Sequence, residues 1–211
     1  MGKLVITIAR SYGSGGRTMG KLLAGELGIS YYDRELVRLA SDKSGVNEAL
    51  FGQVDEKVKS NSLLGRIRVR GKGEALPPDS EDFLSEDNLF RLQADVIREL
   101  AEKESCVIVG RCADHVLKDN PDVIRLYCSA PLKDCMERER QLSGLEDKEI
   151  IKKIERIDRE RAEYYKRYTG KDWKDAGNYD LCLNTTSMSY PELISVVKAY
   201  IRVFQESRKR K

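Results

Sequence analysis

The sequence predicts an α/β protein whose parallel sheet is covered by helices on both faces. Two observations predict it: short, nearly continuous apolar runs recur along the chain, and helical stretches with one apolar face separate them. The length of 211 residues adds that 1–211 is a single domain with room for a small insertion.

Leu4 to Ala9 is apolar at almost every position, as a strand buried on both faces must be. Met19, Leu22, Leu23 and Leu27 then make one helical face, and Gly28 is placed to end that helix. Ile29 to Tyr32 reads as a weaker strand. Residues 43–84 break the alternation, so the core is 1–42 plus 85–211; within the break, Gly65 to Gly73 and Leu76 to Asp79 read as loop. Ser85 to Glu104 carries Leu89, Leu92, Val96, Ile97 and Leu100 at helical spacing. Cys106 to Val109, Val123 to Cys128 and Asp180 to Leu183 are further buried strands. Pro131 to Leu142 and Asp147 to Tyr168 are charge-dense helices, the second with Ile150, Ile154 and Ile157 as its packed stripe. The last helix opens on the capping box Ser189-Tyr190-Pro191-Glu192 and continues through Leu193, Val197, Tyr200 and Phe204 to a basic, frayed tail, Ser207 to Lys211.

Lys plus Arg number 38 and Asp plus Glu 35, a net charge of +3 that argues against a dedicated nucleic-acid binder. Arg66, Arg68, Arg70, Lys72 and the tail Arg208 to Lys211 are basic but have no interleaved aromatic residues for stacking on bases. No run approaches the ~20 apolar residues of a membrane span. The first residues lead directly into a strand rather than a leader, so no membrane partner and a cytoplasmic location are expected. The five cysteines form no Cys-x-x-Cys pair and His115 is the only histidine, which leaves almost no material for a zinc site. The cysteines are expected to be reduced thiols, several of them in core strands.

The stretch Ala9-Arg10-Ser11-Tyr12-Gly13-Ser14-Gly15-Gly16-Arg17-Thr18 joins the first strand to the first helix. A glycine-rich turn there can wrap its amide groups around a phosphate at the positive helix terminus. Gly13, Ser14, Gly15, Gly16, Arg17 and Thr18 are the candidate nucleotide-binding residues. The stretch departs from G-x-x-x-x-G-K-[ST] in two possible registers. In one, Gly16-Arg17-Thr18 stands on G-K-T and Arg17 replaces the lysine. In the other, Gly13-Ser14-Gly15 matches the G-S-G of G-P-S-G-S-G-K-G-T and Gly16 falls on the lysine. Thr18 is the metal-binding hydroxyl in both, and the sequence alone does not separate them.

Other pieces follow in order: Tyr32 to Leu36; Val107 to Arg111; Leu126 to Pro131 with Arg138; Glu155 to Ala162; and Tyr179 to Thr185. Together with the GSGGR loop they resemble the cytidylate kinase-like family, divergent bacterial members of the P-loop nucleoside monophosphate kinase group. The resemblance implies a three-layer P-loop NTPase-type fold with a five-stranded parallel sheet, a helical acceptor-binding insertion at about 43–84 and a lid at about 145–172. It implies phosphoryl transfer from ATP with Mg²⁺ to a nucleoside monophosphate or another small phosphorylated acceptor. Such transfer asks the protein chiefly for positioning and positive charge. Arg17, Arg111, Arg156, Arg159 and Arg161 are then the catalytic candidates. Asp33, Arg38, Arg111 and Asp158 are the acceptor-binding ones.

For several of these residues a plainer role stays open. Arg111 could cap a carbonyl or pair with Asp114, Asp33 could be a helix N-cap, and each arginine of the lid could be a surface ion pair. Where cytidylate kinases read D-G-R-D, this chain reads Val109-Gly110-Arg111-Cys112, and F-L-D-A is Leu126-Tyr127-Cys128-Ser129-Ala130. The acids that would read cytosine and support magnesium are therefore absent. The alternative function is a non-catalytic nucleotide- or phosphate-binding regulator derived from a kinase.

Overall fold

Consecutive apolar residues can be buried only where a strand is covered on both faces, and the computed structural model, which describes residues 3–51 and 74–210, shows how this is done. The strands are β1 (Val5–Arg10), β2 (Ser30–Tyr32), β3 (Cys106–Val109), β4 (Val123–Ser129) and β5 (Leu181–Asn184). They form one sheet in the order β2-β3-β1-β4-β5, with every neighbouring pair parallel. Each apolar run predicted as a strand is one.

The helices are α1 (Gly16–Leu27), α2 (Glu35–Ser44), α3 (Glu86–Lys103), the short α4 (Ala113–Val116), α5 (Leu132–Ser143), α6 (Asp147–Thr169) and α7 (Tyr190–Lys209). Side chains alternate along each strand, and this alternation sorts them between two cores. Ile6, Ile8, Val107, Val109, Ile124 and Leu126 pack with Met19 and Leu23 of α1 and Val197 and Ile201 of α7. Val5, Cys106, Ile108, Val123 and Tyr127 pack on the other face with Leu36, Leu89, Ile97 and the aromatic end of α6. The result is three layers.

The helix-ending glycine is confirmed: Gly28 takes a left-handed φ of 63°. In the capping box of α7, the Ser189 amide donates to Glu192 Oε2 at 2.8 Å. The tail departs from expectation, because α7 stays helical to Lys209. Arg208 holds it there, with its Nε 3.1 Å from Asp122 and its guanidinium over the Phe204 ring. The basic stretch 66–72 lies outside the described residues. Of the cysteines, Cys106, Cys112, Cys128 and Cys135 are buried thiols and Cys182 is exposed.

The segment 145–172 is dominated by the unbroken helix α6, which is fastened at both ends. Its first half packs Ile150 and Ile154 on Cys135 of α5, and Lys153 Nζ reaches Glu139 at 2.5 Å. Its second half enters the main core, where Tyr168 stacks on Phe90 with centroids 4.0 Å apart. Arg167 bonds Glu86 and Asp87 at the start of α3, at 2.6 and 3.0 Å.

Candidate functional site

The loop leaving β1 is shaped by its glycines. Ser11 N–H bonds the Cys128 carbonyl at 3.0 Å, fixing the start of the loop to β4. Gly13 and Gly15 have φ of 70° and 78°, a region that costs other residues about 1–2 kcal/mol. A Cβ on Gly13 would sit 2.9 Å from the Cys135 carbonyl oxygen, so α5 presses on the loop where only glycine fits. Ser14 turns inward and donates to the Ser11 carbonyl at 2.8 Å, while Thr185 donates to the Ser14 carbonyl. Arg138 clamps the outer side, donating to the Gly13 carbonyl at 3.0 Å and to the Thr185 carbonyl at 3.3 Å. No acceptor among the described residues takes the amides of Gly13, Gly15, Arg17 or Thr18. These donors gather at the positive end of α1, a cradle that fits a polyanion.

Beside the loop, at the carboxyl ends of the strands, lies a cavity of about 340 Å³. Ligands gather at this edge in open parallel sheets. Six arginines line it (Arg10, Arg17, Arg34, Arg111, Arg156 and Arg161) against the acids Asp33, Asp114 and Glu160. The Asp33 carboxylate pairs with Arg17 and stands 3.9 Å from Arg10. It does not cap a helix: α2 starts behind Arg34 with no side-chain cap. Burial, with Arg161 nearby, pushes the Arg10 guanidinium down to about 9, and burial lowers Arg111 and Arg161 as well. Cations crowded together out of water are relieved by an anion, so the direction of these shifts fits a phosphate-binding cavity.

Arg111 arrives by a costly route. Gly110, Arg111 and Cys112 take φ of 80°, 58° and 52° in succession, and Arg111 and Cys112 are the two non-glycine residues with positive φ among those described. Asp114, buried next to them, accepts a hydrogen bond from Tyr165 at 2.6 Å. Burial raises its carboxyl above the ordinary value.

From α6, Asp158 accepts the Tyr12 amide at 2.7 Å and Arg161 Nη1 at 3.2 Å; Arg161 also donates to the Arg10 carbonyl at 3.2 Å. Asp158 is therefore tied to the loop. Arg156 sits at the cavity rim, 3.0 Å from Glu160. The cavity does not include Arg159, which is exposed, or Arg38, which makes surface pairs with Glu35 at 2.7 Å and Asp42 at 2.9 Å. Sequence reasoning missed Arg10, Arg34, Tyr164 and Trp173 in the cavity wall. For Arg10 a signal existed, since a charge at the end of a buried strand is costly unless it is used.

A glycine loop running from the central strand of a parallel sheet into a helix, beside an arginine-lined cleft, defines the P-loop kinase class of α/β folds. Solved structures agree on the fold. An uncharacterized protein from Eubacterium ventriosum aligns with a TM-score of 0.70 at 24% identity, covering 95% of this chain and 99% of that one. A shikimate kinase from Bacteroides thetaiotaomicron aligns with a TM-score of 0.51 at 17% identity over 98% of both chains. The chain belongs to the cytidylate kinase-like family, which it matches over residues 5–187. Among its relatives, a cytidylate kinase from Methanopyrus kandleri is 28% identical over 207 residues, covering 94% of this chain and 93% of the relative. Another from Methanosarcina acetivorans is 26% identical over 207 residues, covering 93% and 95%.

Proposed function

We propose that the protein transfers the terminal phosphoryl group of ATP to the phosphate of a nucleoside monophosphate, with cytidylate the first acceptor to test. The observation that carries this reading is the adjacency of two anion sites: the free amides of the β1–α1 loop and the arginine-lined cavity beside them. The loop fits a nucleotide's phosphates, since the amides of Gly13, Gly15, Arg17 and Thr18 have no acceptor among the described residues and side chains are excluded at Gly13 and Gly16. Thr18 is the hydroxyl available to magnesium, and no group of three acidic, histidine or cysteine side chains among the described residues could hold the ion independently. Bound there with the nucleotide, magnesium would neutralise charge between the phosphates.

In this reading Gly13 to Thr18 hold the donor phosphates by their amides. Arg111, at the end of β3, and Arg17 orient the acceptor phosphate, and Arg161 and Arg156 approach from α6 to balance charge during transfer. Asp33 restrains Arg17, and Asp158 fixes the loop against α6. The non-catalytic alternative keeps one specific support, the absence of a loop lysine. A coupled assay for ADP release over a panel of nucleoside monophosphates separates the two. We expect turnover with at least one acceptor and a loss of about a hundredfold or more in Arg111→Ala. Nucleotide binding without ADP release across the panel would instead select the regulator.

A further inference from the structure

A G-x-x-x-x-G-K-[ST] loop aims a lysine at the terminal phosphates, and this loop has none. Helix α1 starts at Gly16, directly after the left-handed Gly15. The left-handed positions, where glycine is needed, are Gly13 and Gly15, the two glycines of the G-S-G match, and Gly16 is not one of them; this favours the register in which Gly16 holds the lysine's position. No side chain can stand there, because a Cβ on Gly16 would lie 2.8 Å from the Cβ atoms of both Arg10 and Cys128. One of the two side chains that fill the space is itself a cation. Arg10 leaves the last position of β1, passes Gly16, and lays its guanidinium against Gly110, where an added Cβ would overlap Nη1.

We propose that Arg10 is the fixed cation of the phosphate loop, entering from the strand side to take the post that a lysine at Gly16 would fill from the helix side, and that it contacts the phosphoryl group in transit. The inference rests on the phosphoryl-transfer reading above. Three features support it together. Glycine at 16 makes room for the stem of Arg10, and glycine at 110 makes room for its head. Asp33 steadies the guanidinium from 3.9 Å. Arg10 lines the cavity together with Arg17, Arg111 and Arg161, which places it amid the positive charge there. A planar guanidinium can also bond two phosphate oxygens at once, where an ammonium offers a point charge.

The test is calorimetric binding of a non-hydrolysable MgATP analogue, with turnover measured in parallel and folding checked by circular dichroism. Arg10→Met should lower affinity at least tenfold and turnover at least a hundredfold, and Arg10→Lys should recover part of both. Gly110→Ala, which displaces the Arg10 head, should weaken binding in the wild-type background and do nothing further on top of Arg10→Met. Undiminished affinity in Arg10→Met, or additive losses in the double variant, overturns the role of Arg10 and leaves the loop assignment standing. If Arg10→Met does not fold, Gly110→Ala decides, with full affinity there counting against Arg10. A wild-type protein that binds neither the analogue nor pyrophosphate overturns the phosphate-loop reading itself.

Discussion

Two turns at the carboxyl edge of the sheet lead from a strand into a helix through left-handed backbone, and they solve the problem differently. The β1–α1 turn puts glycine at each left-handed position, Gly13 and Gly15. The β3–α4 turn begins with Gly110 but continues left-handed through Arg111 and Cys112. On the proposed function the backbone is the working part of the first turn, so side chains are dispensable there and would obstruct the amides. In the second, on the proposed function, a side chain is wanted, and the fold bears a strained backbone to present it. The contrast separates what each turn contributes, amides from one and a guanidinium from the other.

The strongest way to break this contrast is Gly13→Ala. The new Cβ meets the backbone oxygen of Cys135 at 2.9 Å with φ at 70°, and neither can yield cheaply. We expect a loss of about 2–4 kcal/mol in denaturant unfolding, combining left-handed strain with overpacking. Nucleotide affinity should fall with it.

Arg111→Gly should act in the opposite sense on stability. Glycine accepts a φ of 58° without strain, so stability is held or raised by up to about 1 kcal/mol while turnover is lost. A variant that is both less stable and fully active would show that the strained turn serves packing instead.

Asp114, beside the second turn, adds a pH dependence. Burial favours its protonated form in the folded protein, so its contribution to stability declines as pH rises from 3.8 through its raised folded value. Melting temperatures measured across this acid range should show a flatter profile in Asp114→Asn.

Arg38→Ala sets the lower bound. Its partners are exposed carboxylates on its own helix, outside the cavity, so neither melting temperature nor turnover should move measurably. A loss of turnover there would bring α2 into the site.

The fold was legible because both-face burial leaves a local mark. Apart from the buried Thr7, Val5 to Ala9 and Cys106 to Val109 are apolar at successive positions, as strands covered on both faces of a parallel sheet are. The loop was legible for a similar reason, since clustered glycines between strand and helix serve few purposes. The arginines were harder. Arg156, Arg159 and Arg161 look alike along the chain, but the helical turn takes Arg156 and Arg161 to the cavity and leaves Arg159 exposed.

The sequence by itself determined the layered sheet, its helices and the position of the glycine loop, because periodicity and backbone freedom are properties of neighbouring residues. The tertiary structure alone decided which cations converge. Arg10 lies on β1, Arg161 on α6 and Arg111 in the turn after β3, and their proximity depends on how these parts of the chain are packed. Only that packing turns a nearly balanced chain into a cavity with surplus positive charge.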